Sequence, residues 1–449
     1  MQKKSLGLIV LTLMLVFTND AFCQNPIIRT MFSADPSARV FGNKVYLYPS
    51  HDIFATETKG RKGWFCMEDY HVYSSENLTD WKDEGMIVTQ NKVPWVMPDS
   101  YSMWAPDCIE RNGKYYFYFP TAPKDTIVYG RGFRIGVAVA DHPAGPFVPQ
   151  PLPIQNVRGI DPNVFIDKDG QAYLYWSAGN IYGAKLKENM LELDSDVDTL
   201  GVLPTKGLKE GPYMFERKGI YYLTYPHVEN KIERLEYATG SHPLGPFTFA
   251  GVIMDESPTG CWTNHHSILP FNNQWYLFYH HNDYSPAFDK ARSVRIDSLF
   301  FNEDGSIKKV IPTLRGVGIT DASQKIQIDR YNQLSDQGSS IESIDTLDRF
   351  KGWKTILSSK AAWVQYNSVD FGKKPRKKII VNSMSASGGT LEVHTQGING
   401  PLIAEVKINP GKSWAITESR LLQSSTGIQH LFITLKDNRP VDIDWISFE

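Results

Sequence analysis

The sequence predicts an all-β protein, a five-bladed β-propeller followed by a β-sandwich of jelly-roll type. Three observations carry that reading. One layout recurs five times: an acid or histidine, a short apolar strand, a polar turn, then an aromatic strand. The interval is about fifty to seventy residues, the range of propeller blades. A second motif is repeated as well, and helical periodicity is weak after the N-terminal stretch.

Residues 1–23 come first and read as a secretory leader. Lys3 and Lys4 supply a charged start, Leu6 to Phe17 an apolar run, and Ala21-Phe22-Cys23 a cleavage site before Gln24. The run is short for a membrane span, and no other stretch is apolar enough to be one. A lipid-bearing Cys23 would follow Asp20-Ala21-Phe22, a poor match to the triplet that precedes such cysteines. Simple cleavage is expected, with export to the periplasm or the cell exterior.

The five repeats follow in order. Asp35-Pro36 leads to Val45–Tyr48, and Trp104-Ala105-Pro106-Asp107 to Tyr115–Tyr118. Gly159-Ile160-Asp161-Pro162 leads through the turn Asp167–Gly170 to Ala172–Trp176. Glu210-Gly211-Pro212 leads to Tyr221–Tyr225, and His265-His266-Ser267 to Trp275–Tyr279. The second motif, Pro143-Ala144-Gly145-Pro146-Phe147, returns as Pro243-Leu244-Gly245-Pro246-Phe247. The first strand of each propeller blade starts near the central axis. Asp35, Asp107, Asp161, Glu210 and His265 should therefore ring one funnel. The insert Ile53 to Glu68 reads as a loop over one face, a natural place for substrate selection.

Gly316, Gly318, Thr320 and Ser323 mark a linker over Leu314 to Ser323, which puts the propeller at 24–318 and a second domain at 322–449. There Trp363–Tyr366, Lys378–Met384, Thr390–Thr395 and His430–Leu435 read as short strands between Gly-rich turns, the pattern of a sandwich.

Composition narrows the function. Net charge is −2 with no basic run, which excludes nucleic acid as a partner. Aromatics reach 12%, which suits a carbohydrate-handling surface and an all-β core equally. Cys66, Cys108 and Cys261 show no metal spacing and allow at most one disulfide; three buried or free thiols are expected.

A funnel with several carboxyls suits glycosidic hydrolysis. That reaction needs one protonated carboxyl to protonate the leaving oxygen and one carboxylate to activate water or attack carbon. Acids held close together cannot all ionise, so one pKa rises. Taken singly, an acid beside Pro or Gly commonly caps a turn; the matched blade positions set these apart.

On the five ordered motifs, with Arg292-Ser293-Val294 and Asn302–Gly305, residues 26–315 resemble glycoside hydrolase family 43, whose five-bladed propellers hydrolyse with inversion. The resemblance implies Asp35 as general base, Glu210 as general acid, and Asp161 as the residue that raises and orients the acid. His265 and Arg292 match the family's residues at the funnel floor and Trp104 its sugar subsite, and Asp107 of the ring is a further substrate-binding candidate. His265 is the expected calcium contact, direct or through water; no cofactor is otherwise required. The C-terminal part resembles a family 6 carbohydrate-binding module through Ile326–Asp329, Ala362–Tyr366, Ser387–Val393, Gly400–Leu402, Ser413-Trp414 and Asp442–Trp445. Trp414 matches that family's sugar-stacking tryptophan. The tyrosine expected opposite it is missing, with Phe350 or Trp353 as stand-ins, and packing on the propeller is the alternative role.

The expected activity is that of a secreted, exo-acting, inverting hydrolase on oligo- or polysaccharide. It releases pentoses from plant-type glycans as an α-L-arabinofuranosidase or β-xylosidase. The rivals are an exo-galactosidase on arabinogalactan and a non-catalytic glycan-binding surface protein; the intact acids argue against the latter.

Overall fold

The computed structural model describes residues 24–449 apart from 202, 203, 205 and 361, so the leader reading of residues 1–23 lies outside the described residues. Five antiparallel sheets follow one another in chain order. Blade 1 holds Ala34–Phe41, Lys44–Ser50, Asp69–Ser75 and Lys82–Thr89; blade 2 holds Asp107–Arg111, Lys114–Thr121, Arg134–Ala140 and Val148–Pro149. Blade 3 holds Ile160–Ile166, Ala172–Ser177, Ile181–Leu186 and Asp198–Thr199; blade 4 holds Tyr213–Arg217, Ile220–Val228, Glu233–Gly240 and Phe247–Met254. Blade 5 has three strands, His266–Phe271, Gln274–His281 and Ser293–Leu299.

Each second strand is the aromatic one, and its rings pack into the cores between blades. Tyr48, Phe117, Tyr175, Tyr222 and Tyr279 are all fully buried. The hydroxyls of the tyrosines need partners once buried, and the repeated Pro-x-Gly-Pro-Phe turn supplies two of them. Tyr48 of blade 1 donates to the Pro143 carbonyl of blade 2 at 2.6 Å, and Tyr175 of blade 3 to Pro243 of blade 4 at 2.8 Å. The turn thus hangs each of those blades on the one before it. Blade 5 would leave an open edge at its third strand. Residues 25–33 cover it: Ile27 N–H donates to Val294 O, Ser33 N–H to Arg292 O, and Ile296 N–H to the Asn25 side chain. That closes the ring with the N-terminal segment and removes an edge open to pairing.

The sandwich has two sheets. One runs Thr320–Asp321, Trp363–Asp370, Ile428–Leu435, Gly389–Thr395, Leu402–Ile408, with Gln333–Leu334 also on Trp363–Asp370. The other runs Ser339–Ser343, Trp353–Leu357, Val441–Phe448, Lys378–Ser385, Gly411–Arg420. Burial alternates strictly along Lys378–Ser385, as a strand with one face in a core requires. Ile379, Val381, Leu391, Val393, Ile433 and Ile443 meet between the sheets.

Two expectations change. The stretch 314–323 is no free linker. Arg315 is buried, donates to Asn367 O at 3.0 Å, and lies 4.6 Å over the Tyr366 ring. Thr320–Asp321 already pairs with the sandwich. Nor do Phe350 and Trp353 form a sugar-binding wall. Phe350 meets Phe32 and Tyr284 of the propeller, and Trp353 stacks on Tyr284 at 4.9 Å. Arg330 donates to Asn25 O, and Gln24 to the Tyr366 hydroxyl, so the two domains share one interface. Cys66, Cys108 and Cys261 are buried and unbridged.

Candidate active site

The blade starts share a backbone feature that the sequence hinted at through proline. Asp35 and Asp161 precede prolines and have φ of +47° and +58°, and each lies at an irregularity in its strand pairing. In blade 4 the residue before proline is Gly211, with φ +52°. Its acid, Glu210, comes one position earlier. The left-handed kink turns each carboxyl off the strand and towards the axis. Strain of this kind persists where the surroundings over-determine it. A side chain at Gly211 would come within 3.0 Å of Pro226 and 3.1 Å of His265 Nδ1, so glycine is needed there.

Asp35, Asp161, Glu210, His265, Arg292 and Trp104 all line one cavity of about 210 Å³. The insert supplies Trp64, Phe65 and Met67 to the wall, and blade 5's entry loop supplies Trp262, Thr263 and Asn264. Aromatic rings thus face a floor of carboxyls. Asp107 is not among them. Its carboxylate, 1% exposed, takes bonds from Ser37, Arg39, Asn163 and the Val164 N–H. The funnel prediction fails for this acid because its kink is absent. Asp107 instead ties blades 1, 2 and 3 together. Trp414 lies in the sandwich, half-buried on the edge strand Gly411–Arg420, and contributes nothing to this cavity.

Asp35 is held by more partners than any other acid of the cavity. Arg292 reaches it with Nη1 at 2.7 Å and Nη2 at 3.1 Å, and the Ser50 hydroxyl donates to it. Its N–H donates to His280 Nδ1 at 3.0 Å. Burial works to raise its pKa, but Arg292, helped by His280, His265 and Ser50, outweighs burial and brings it down to about 2. Arg292 is itself fixed by Asp52, a buried acid that no repeat or motif marks, through bonds of 2.9 Å.

The acids of blades 3 and 4 behave the other way. Burial, then the neighbouring Glu210, pushes Asp161 up to about 7, against a 2.9 Å bond from Gly211 N–H. Burial also raises Glu210. Glu233, 1% exposed and beside Glu210, is raised well above the carboxylate range by burial and by that neighbour. Its carboxyl accepts the Asn264 N–H at 2.6 Å. These three carboxyls share their protons as a group. Glu233 has no motif of its own; it opens the third strand of blade 4, where no repeat points to it.

His265 lines the cavity as a single imidazole donor. Calcium takes roughly six to eight oxygen ligands. Asp35 and Asp161 are committed to Arg292 and to Gly211, and no triad of ligand side chains forms at His265 among the described residues, so an ion held there would draw its oxygens from water.

Comparison with known proteins agrees with this geometry. Residues 23–307 match the family described as Glycosyl hydrolases family 43, and residues 333–449 match Carbohydrate binding module (family 6). The chain is 35% identical over 331 residues to a xylosidase/arabinosidase of Humicola insolens, covering 63% of this chain and 98% of that protein. It is 36% identical over 324 residues to a β-xylosidase of Xylanibacter ruminicola, covering 62% and 97%. A solved β-xylosidase/α-arabinofuranosidase from a compost microbial metagenome superposes with TM-score 0.58 at 33% identity, over 65% of this chain and 98% of the other.

Proposed function

Because the chain belongs to glycoside hydrolase family 43 and ends in a family 6 carbohydrate-binding module, we propose that it removes pentose units from xylan- or arabinan-type glycans, as a β-xylosidase or α-L-arabinofuranosidase. The observation that carries the catalytic roles is the position of Glu210. It borders the acidic cavity and also a second depression, formed with Trp104, Ile160, Phe133, Arg158 and Leu208. An acid at that boundary stands where the oxygen between two sugars would lie. Glu210, kept protonated by burial among carboxyls, gives its proton to that oxygen. Asp35, ionised by Arg292 on the other side of the cavity, takes a proton from the attacking water. Asp161 holds the Gly211 N–H and so fixes the backbone that carries Glu210. Single displacement by water inverts the anomeric carbon. The leader reading adds export, with mature protein starting at Gln24.

Aryl β-xylosides, α-L-arabinofuranosides and β-galactosides, followed by proton NMR of the first sugar released, test this reading. Hydrolysis of a pentoside with inverted product is expected. Cleavage of the galactoside alone, or of none, overturns the substrate; a retained product overturns the roles.

A further inference from the structure

The insert that walls the cavity starts after one strand of blade 1 and ends at the next, and its two ends carry a cluster the hydrolytic chemistry does not use. His51 directly follows Lys44–Ser50, while Asp69 and His71 begin Asp69–Ser75. Ser50 pairs with Tyr70, so His51 comes beside Asp69. Asp69 and His71 are two apart on a strand and share a face. The result brings one ligand atom from each of His51, Asp69 and His71 within 4.8 Å of the others, the only such group among the described residues. All three are partly exposed, with side-chain exposures of 20%, 17% and 22%, so an ion can reach them from solvent.

We propose that His51, Asp69 and His71 bind a divalent transition-metal ion of the kind imidazole favours, zinc above all, and that the ion clasps the base of the 53–68 insert. Two imidazoles and one carboxylate form a common zinc donor set, with the fourth position left to water. The same set is poor for calcium or magnesium, which want oxygen. His51 Nδ1 and Asp69 Oδ1 stand 2.7 Å apart. Around a tetrahedral zinc, ligand atoms lie about 3.3 Å apart, so modest side-chain rotations complete the site. Behind it, Asp83 Oδ1 lies 3.3 Å from His71 Nδ1, the outer carboxylate that orients a ligating imidazole. Asp83 is held in turn by the Gly85 N–H at 2.8 Å. A simple His51–Asp69 hydrogen bond would account for two of these residues; it gives no reason for His71 at the same point with a carboxylate behind it. The consequence of binding falls on the insert, because Trp64, Phe65 and Met67 reach the cavity from it. The site stands whichever sugar the cavity takes.

The test uses the full-length, metal-stripped protein and Zn²⁺ alone. Calorimetry should show one equivalent bound, and Co²⁺ in its place should give the visible absorption of a tetrahedral ion. The insert offers trypsin the exposed Arg61 and Lys62, and Zn²⁺ should slow cleavage there severalfold. His71→Gln and, separately, Asp69→Asn should each weaken binding at least tenfold and remove the protection, with circular dichroism unchanged. His265→Gln should leave both intact. No stoichiometric binding by the native protein overturns the proposal. So does binding that survives His71→Gln and Asp69→Asn, or that is lost in His265→Gln.

Discussion

The propeller and the sandwich are both all-β, yet they treat buried charge in opposite ways. The propeller buries Asp35, Asp52, Asp107, Glu233, Glu236, Arg292, Arg295 and Asp297. From Thr320 onward the only charged residues so buried, among the described residues, are Asp329 and Arg330, and Arg330 bonds to the propeller. Other buried polar residues of the sandwich are Ser and Thr. Burying a charge is costly unless it is paired. A domain that only needs a core avoids it, as the sandwich does. The propeller accepts it, and around its cavity paired and unpaired carboxyls give the two protonation states that hydrolysis requires. Buried charge therefore separates the chemical domain from the one that assists it.

Breaking that contrast at its centre should have the largest effect. Asp35→Asn and Glu210→Gln are each expected to lower kcat by about 10²–10⁴-fold, the usual worth of a positioned acid or base. Unfolding midpoints should barely move. With an activated aryl leaving group the Glu210→Gln loss should shrink and the Asp35→Asn loss should not, because only departure of a poor leaving group needs the proton. Equal losses on both kinds of substrate would remove Glu210 from the acid role.

Next in size is the pH profile. On the proposed roles the active form has Asp35 ionised and Glu210 protonated. Asp35 titrates at about 2, so no acid limb should appear under ordinary conditions. Activity should fall as pH rises through the shared titration of Asp161, Glu210 and Glu233, all raised by burial, with Asp161 at about 7. Asp161→Asn removes a negative neighbour and should move that falling limb to lower pH. Glu233→Gln keeps a neutral carbonyl for Asn264 N–H and should retain most of the rate. A limb that stays put in Asp161→Asn would show that Asp161 does not tune the acid.

Much of this contrast was legible in the residues. Repeats at Asp35, Asp161, Glu210 and His265 placed the funnel, because blade starts converge whatever the side chains do. Asp107 misled: it has the spacing but not the Asp-Pro order, and so lacks the kink that turns an acid into the cavity. Asp52 and Glu233 were not legible, since each sits off the repeat and matters only through a neighbour brought by folding. The packing of Phe350 and Trp353 on Tyr284 was equally hidden, because an aromatic residue in a loop looks the same whether it meets sugar or protein.

That interface yields a smaller effect. Trp353→Ala removes the stack on Tyr284 and the ring under Arg330, 4.1 Å away. For a half-buried tryptophan the loss should be about 2 kcal/mol, roughly half the cost of deleting a core aromatic. Calorimetric unfolding should pass from one transition to two as the domains uncouple, with kcat on aryl substrates nearly unchanged. A single transition at the native midpoint would mean the domains are held together elsewhere.

The smallest effect is expected at Trp414, and it decides what the sandwich does for the propeller. Its strand is the last of its sheet and pairs only with Lys378–Ser385, so the ring is half-buried at an edge. The aromatic residues read as an opposing wall are spent on the domain interface. A sugar resting on Trp414 would therefore touch one ring face, worth about 0.5–1.5 kcal/mol, or roughly twofold to tenfold in affinity. Trp414→Ala should weaken binding to insoluble xylan or arabinoxylan by that factor while aryl-glycoside turnover and thermal stability stay as they were. No change in polymer binding would leave the sandwich as a packing domain. A loss beyond a hundredfold would require a second wall, supplied by residues that the sugar itself draws together.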